Sequence, residues 1–183
     1  AAAQAAGFTT IKLNAVIQRG INDDHALALV EHFRGSGHVL RFIEYMDVGT
    51  CNGWSRERVV PSAELRDRIA VHWPLRALDA NYRGEVAERY AYADGRGEVG
   101  FVSSVTAPFC GDCHRARVSA DGQLYTCLFA GQGHDLRAVL ARGEDALAEH
   151  VAGLWSARAD RYSEVRSEAG ASRKHVEMYL VGG

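Results

Sequence analysis

Cys110, Cys113 and Cys127 fall in the run CGDCHRARVSADGQLYTC, a Cys-x2-Cys-x13-Cys spacing. Two thiolates separated by two residues can grip one metal centre from a single turn of chain. A third, returning on the far arm of a hairpin, closes the grip from another side. Three thiolates on an iron–sulfur cluster leave one iron without a protein ligand, and an unclaimed iron can bind a substrate. The same spacing suits zinc, with His114, His134 or the distant Cys51 as a fourth ligand, so spacing alone does not choose the metal. A disulfide competes less well, because no signal-like apolar segment opens the chain and four cysteines in 183 residues is not a disulfide-dense composition. A thioredoxin-like redox pair would want a βαβ start around it, whereas this Cys-x-x-Cys lies between a strand-like run and a hairpin.

Other polar residues stand where they could meet a ligand. Arg115 and Arg117 alternate on a strand leaving the cysteine turn, and the period of two sends both guanidinium groups to one face. Two such groups beside a metal offer planar, bidentate donors to a triphosphate or a purine edge; taken alone, an Arg-x-Arg reads more readily as two solvated arms on a hairpin. Lys12 and Asn14 alternate on the first strand and Arg41 stands near the start of the next, in runs otherwise rich in apolar residues. A polar group in a buried parallel strand needs a partner or a ligand. Met46, taken alone, reads as core packing. Glu44 and Asp47 read as structural as readily as functional, and no histidine has a spacing that assigns it a role.

The elements that position these residues come in two styles. FTTIKLNAVI reads as a strand, NDDHALALVEHFRGSG as an amphipathic helix capped by Asn22 or Asp23 and closed by glycine, and HVLRFIEYMDV as a second strand, which makes a βαβ unit with parallel neighbours. SAELRDRIAVHW follows Pro61 as a further helix with Leu65 and Ile69 inward. Beyond Trp73 and Pro74, VAERYAYADGRGEVGFVSSVT reads as one hairpin and ARVSADGQLYTCLFA as a second about Asp121-Gly122. Helical periodicity is expected from His134 to about Trp155. A parallel pair covers neither of its faces alone, so the first part reads as the back portion of a longer α/β chain.

Composition sets the outer limits. Hydrophobic residues make up 47% and charged residues 24% of the 183, which suits one globular domain or one with a smaller appendage. A net charge of −2 and a pI near 6.5 give no global pull toward nucleic acid or an anionic membrane. The apolar runs are shorter than a membrane span, and a soluble, cytoplasmic protein is expected.

KLNAVIQRGIND, RFIEYMDVG, PFCGDCHRARVSADGQLYTCLF and the terminal Gly182-Gly183, in that order, resemble the GTP 3′,8-cyclase family of molybdenum cofactor biosynthesis. The resemblance runs over nearly the whole chain. It implies a radical S-adenosylmethionine (SAM) enzyme with two [4Fe–4S] clusters that takes hydrogen from C3′ of GTP so that C3′ attacks C8, giving (8S)-3′,8-cyclo-7,8-dihydroguanosine 5′-triphosphate. In that family the cysteines matching Cys110, Cys113 and Cys127 hold the second cluster, whose open iron takes the guanine end of GTP. Lys12 and the Arg115-Ala116-Arg117 run match GTP-binding residues, and Met46 matches a residue lining the SAM pocket, which Arg41 would join. Gly182-Gly183 matches a tail that threads into the active site and assists radical initiation.

The implied architecture is the C-terminal portion of an incomplete (β/α)6 TIM-like barrel over residues 1–75, then a smaller β-hairpin and helix domain with the auxiliary cluster over 76–183. GTP and SAM are the implied small-molecule partners. A homodimer and the downstream cyclic pyranopterin monophosphate synthase are the implied protein partners, with no nucleic acid and no membrane. The family's Cys-x3-Cys-x2-Cys motif is absent, since Cys51 is the one other cysteine. The chain alone is therefore expected to hold no SAM-cleaving cluster and not to turn over. The alternative is a non-catalytic zinc or iron–sulfur module.

Overall fold

Side chains alternate along β1 (Lys12–Ile17), which follows a single helical turn, α1 (Ala2–Ala5). Leu13, Ala15 and Ile17 join the core, while Lys12, Asn14 and Val16 stay exposed, as the two-residue period of a pleated strand requires. The computed structural model describes residues 2–166 and 176–180. It resolves into two compact units, one of residues up to 46 with 54–109, the other of residues 47–53 with those from 110 onward.

In the first unit β2 (Val39–Glu44) lies parallel to β1, in register from Lys12 opposite Val39 to Ile17 opposite Glu44. The crossover is α2 (Ala26–Phe33), which buries Ala26 and Val30 completely. The βαβ unit is as expected, but the helix start differs. A 3-10 turn, Asp23–His25, precedes α2, and the Asn22 side chain closes the loop instead of capping, taking the Gln18 N–H at 2.9 Å and donating to the Val16 carbonyl at 2.9 Å. Pro61 stands just ahead of α3 (Ser62–His72), whose Leu65 and Ile69 are buried.

Three further strands, β3 (Leu75–Leu78), β4 (Glu88–Tyr92) and β5 (Glu98–Val102), complete the sheet in the order β1-β2-β5-β4-β3. β4 and β5 form the expected hairpin, with Tyr90 opposite Val99, and β5 then pairs parallel to β2, with Phe42 opposite Phe101. The division expected near residue 75 therefore falls inside the first unit, because the hairpin's inner strand finds its second partner in β2. α3 packs on β2 and β5, and the core gathers Phe42, Phe101, Val99, Leu65 and Ile69. Buried Glu44 ties three elements together. Its carboxylate accepts the N–H groups of Ser62 at 2.8 Å, Val105 at 2.8 Å and Thr106 at 2.9 Å, together with the Thr106 hydroxyl. A carboxylate at the start of α3 also meets the positive end of the helix dipole.

The second unit is built on an antiparallel sheet, β6 (Arg117–Val118), β7 (Gln123–Tyr125) and β8 (His134–Asp135). Gly122 turns the hairpin at φ +79°, as the Asp-Gly pair predicts. β8 corrects the helical expectation at His134, which pairs with Leu124 as a strand. Gly133 lets β8 come close: a Cβ there would stand 2.7 Å from the Gln123 Cβ and 2.8 Å from the Tyr125 ring. Helices α4 (Arg137–Leu140), α5 (Glu144–Ser156) and α6 (Tyr162–Val165) follow. The whole is mixed α/β. No helix among the described residues is long and apolar enough to cross a membrane.

Candidate metal and nucleotide site

A 3-10 turn over Cys110–Asp112 brings the Cys113 N–H to the Cys110 carbonyl at 3.2 Å, so both thiols leave one turn. Burial then alternates: Cys113, Arg115, Arg117 and Ser119 are partly or fully covered, and His114, Ala116, Val118 and Ala120 are exposed. Arg115 and Arg117 thus share the face of Cys113. Cys127 follows β7 in the same unit, where its sulfur accepts the Phe129 N–H at 3.4 Å.

Guanidinium groups set the charge of the cysteine turn. Arg115 donates from Nη2 to the Cys113 sulfur at 3.4 Å, and Arg158 donates from Nη1 to the Cys113 carbonyl. Burial pushes the Cys113 thiol up, but the hydrogen bonds from Arg115 and Arg158 outweigh it and hold the thiol below its ordinary value. Burial raises the Cys127 thiol, the Phe129 N–H opposing it, and the negative charges of Asp160 and Cys110 add to the rise. Arg117 is held below the usual arginine range by burial and by the like charge of Arg115, with Cys113 and Cys127 acting the other way. One guanidinium therefore feels both sulfurs.

Behind Cys127 lies an open cavity of about 780 Å³, lined by Phe129, Ala130, Asp160 and Tyr162 among others, a size that accommodates a small-molecule ligand. Asp160 takes the Thr126 hydroxyl at 2.6 Å and Arg158 Nε at 3.2 Å. Tyr162 stacks on Phe129 with ring centroids 4.7 Å apart and donates to Asp47 at 2.6 Å; Arg166 Nε reaches the other Asp47 oxygen at 2.8 Å. Arg158, Asp160, Tyr162 and Arg166 bear no fixed spacing to the cysteines, and no sequence signal singles them out.

Among the described residues no three His, Cys, Asp or Glu side chains close into a metal-holding group, the three cysteines included. The chemistry of the donors nevertheless fits an iron–sulfur cluster. Three thiols sit in one unit, and N–H donors aim at two of the sulfurs, the type of hydrogen bond that stabilises ligating thiolates and tunes cluster potentials.

The remaining expected site residues lie in the first unit. Lys12 opens β1 on its exposed face, and half-buried Met46 follows the end of β2. Arg41 sits mid-strand, its stem over Gly100 and its Nη2 3.8 Å from Glu85. Arg41 therefore has a charged partner inside its own unit. Gly182 and Gly183 lie outside the described residues.

The fold and the thiol-and-guanidinium cluster together define a mixed α/β protein with a sulfur-rich, anion-attracting site. Residues 38–164 match the family described as Molybdenum Cofactor Synthesis C, and the chain belongs to that family. A protein named GTP 3′,8-cyclase from Xanthomonas campestris pv. campestris is 68% identical over 183 residues, covering all of this chain and 54% of the relative. Proteins of the same name from Acidothermus cellulolyticus and Synechococcus sp. strain WH7803 are 51% and 50% identical, again over all of this chain and over 58% and 53% of their own lengths. The chain spans about half the length of the curated relatives it matches and corresponds to their C-terminal part.

Proposed function

We propose that this chain is the substrate-holding portion of a GTP 3′,8-cyclase acting in molybdenum cofactor biosynthesis. The observation that carries the reading is the Cys113–Arg115–Arg117 face, where thiol and guanidinium groups alternate beside Cys127. Cys110, Cys113 and Cys127 would hold a [4Fe–4S] cluster, which when bound supplies an iron free of protein ligands to take the guanine end of GTP. Arg115 and Arg117, on either side of Ala116, meet the nucleotide's anionic and purine-edge acceptors from one face. Arg158 holds the backbone of the cysteine turn through the Cys113 carbonyl and is itself fixed by Asp160. In the same reading Lys12 binds GTP, Met46 and Arg41 face SAM, the first unit is part of a TIM-like barrel, and Gly182-Gly183 assists initiation. The molecule works in the cytoplasm as a homodimer and passes its product to cyclic pyranopterin monophosphate synthase.

Anaerobic iron–sulfur reconstitution, metal analysis and electron paramagnetic resonance with and without GTP test the assignment. About four irons per chain are expected, with a signal that GTP alters and Cys127→Ala abolishes. Arg117→Ala should keep the iron and weaken GTP binding by about tenfold, the loss of one charge-assisted contact. One zinc per chain and no response to GTP would instead establish a structural metal module.

A further inference from the structure

The Glu177 side chain fastens the C-terminal segment to the loop over residues 47–53. Glu177 places Oε1 where it accepts the Thr50 N–H at 2.8 Å and the Thr50 hydroxyl, with the Cys51 sulfur 3.6 Å away. Glycine at the neighbouring position leaves room for the carboxylate. Gly49 has φ +66°, and a Cβ there would collide with Glu177 Oε2 and stand 3.0 Å from its Cδ. The loop is itself held, because the Asp47 carboxylate bridges Arg166 Nε and the Tyr162 hydroxyl. On the other side the Val176 N–H reaches the Ala130 carbonyl at 3.3 Å, and a 3-10 turn over Met178–Leu180 follows, closed by the Leu180 N–H on the Glu177 carbonyl at 3.0 Å. Backbone contact at Val176 is weak and lacks sequence specificity. The carboxylate in its glycine notch supplies the selectivity.

We propose that Glu177 is a positioning residue, a latch that seats in the Gly49–Thr50–Cys51 notch and sets where the C-terminal segment leaves the domain. The latch rests on the reading above for its purpose, since Glu177 lies a few residues ahead of the Gly182-Gly183 tail assigned to the reaction. Its existence as a dock does not depend on that reading. Thr50 donates twice to one oxygen, so the requirement is for an acceptor at Oε1 more than for a charge. Glu177→Gln can keep that acceptor; Glu177→Ala cannot, and Gly49→Ala drives the carboxylate out of the notch while straining the backbone.

Amide hydrogen exchange on the reconstituted 183-residue chain, with GTP affinity measured on the same samples, tests the latch. Glu177→Ala and Gly49→Ala should each speed exchange at Met178, Tyr179 and Leu180 by about tenfold, and Glu177→Gln should restore protection to within about threefold of the parent. GTP affinity should be unchanged, because none of these residues belongs to the cysteine and arginine face. Unchanged exchange in Glu177→Ala overturns the proposal, as does an equal loss in Glu177→Gln, which would show that a retained acceptor oxygen does not seat the latch. Failure of the parent chain to bind GTP would sink the functional reading, while the exchange result would still decide the latch.

Discussion

Glu44 shows how much one buried residue can carry. Its two oxygens take four donors from the start of α3 and the loop after β5, and two of them, the N–H groups of buried Ser62 and Val105, are left without a partner once the carboxylate is gone. Glu44→Ala is expected to cost about 3 kcal/mol, read as a fall in the urea midpoint, and Glu44→Gln less, since one acceptor oxygen survives. Tyr92 makes a different prediction. Burial pushes its hydroxyl up to about 12, against the nearby charge of Arg34. A phenol whose folded value is raised contributes stability that is complete below the unfolded value near 10 and is lost as pH climbs from there toward 12. Thermal unfolding should therefore show a decline between pH 10 and 12, on the order of 2 kcal/mol, that Tyr92→Phe flattens.

At the scale of elements, Gly133 is a spacing device that keeps β8 against β7. Gly133→Ala is expected to destabilise the three-stranded sheet by about 1–3 kcal/mol, visible as faster amide exchange at Leu124 with the first unit unaffected. What the sequence makes legible here follows from the range of the forces involved. β1, α2, β2, α3 and both hairpins announce themselves because apolar periods and the Asp-Gly turns are local. β3 and β8 do not, since four residues and two residues carry no period and exist as strands only through their partners. The same divide runs through the site. Cys-x2-Cys spacing places Cys110 and Cys113 on one turn, and alternation places Arg115 and Arg117 on one face, both by counting. Arg158, Asp160 and the Asp47–Arg166 pair become neighbours only through the path of the folded chain, so counting cannot find them.

Across the whole molecule, the sheet order β1-β2-β5-β4-β3 puts the late strand β5 in the middle, flanked by a distant strand on one side and its own hairpin partner on the other. Closing the β4–β5 hairpin spans a handful of residues, whereas joining Leu40 to Val99 closes a loop of most of the first unit. Loop-closure entropy makes the second pairing the slower one. Pulse-labelled exchange during refolding should protect the amides that bond between β4 and β5 before those that bond between β2 and β5. During synthesis the consequence is sharper. Until residue 102 has left the ribosome, the inner edge of β2 is an open row of hydrogen-bonding groups on an apolar strand, so the nascent chain is most vulnerable to association with its neighbours over the interval in which its central strand is still unmade.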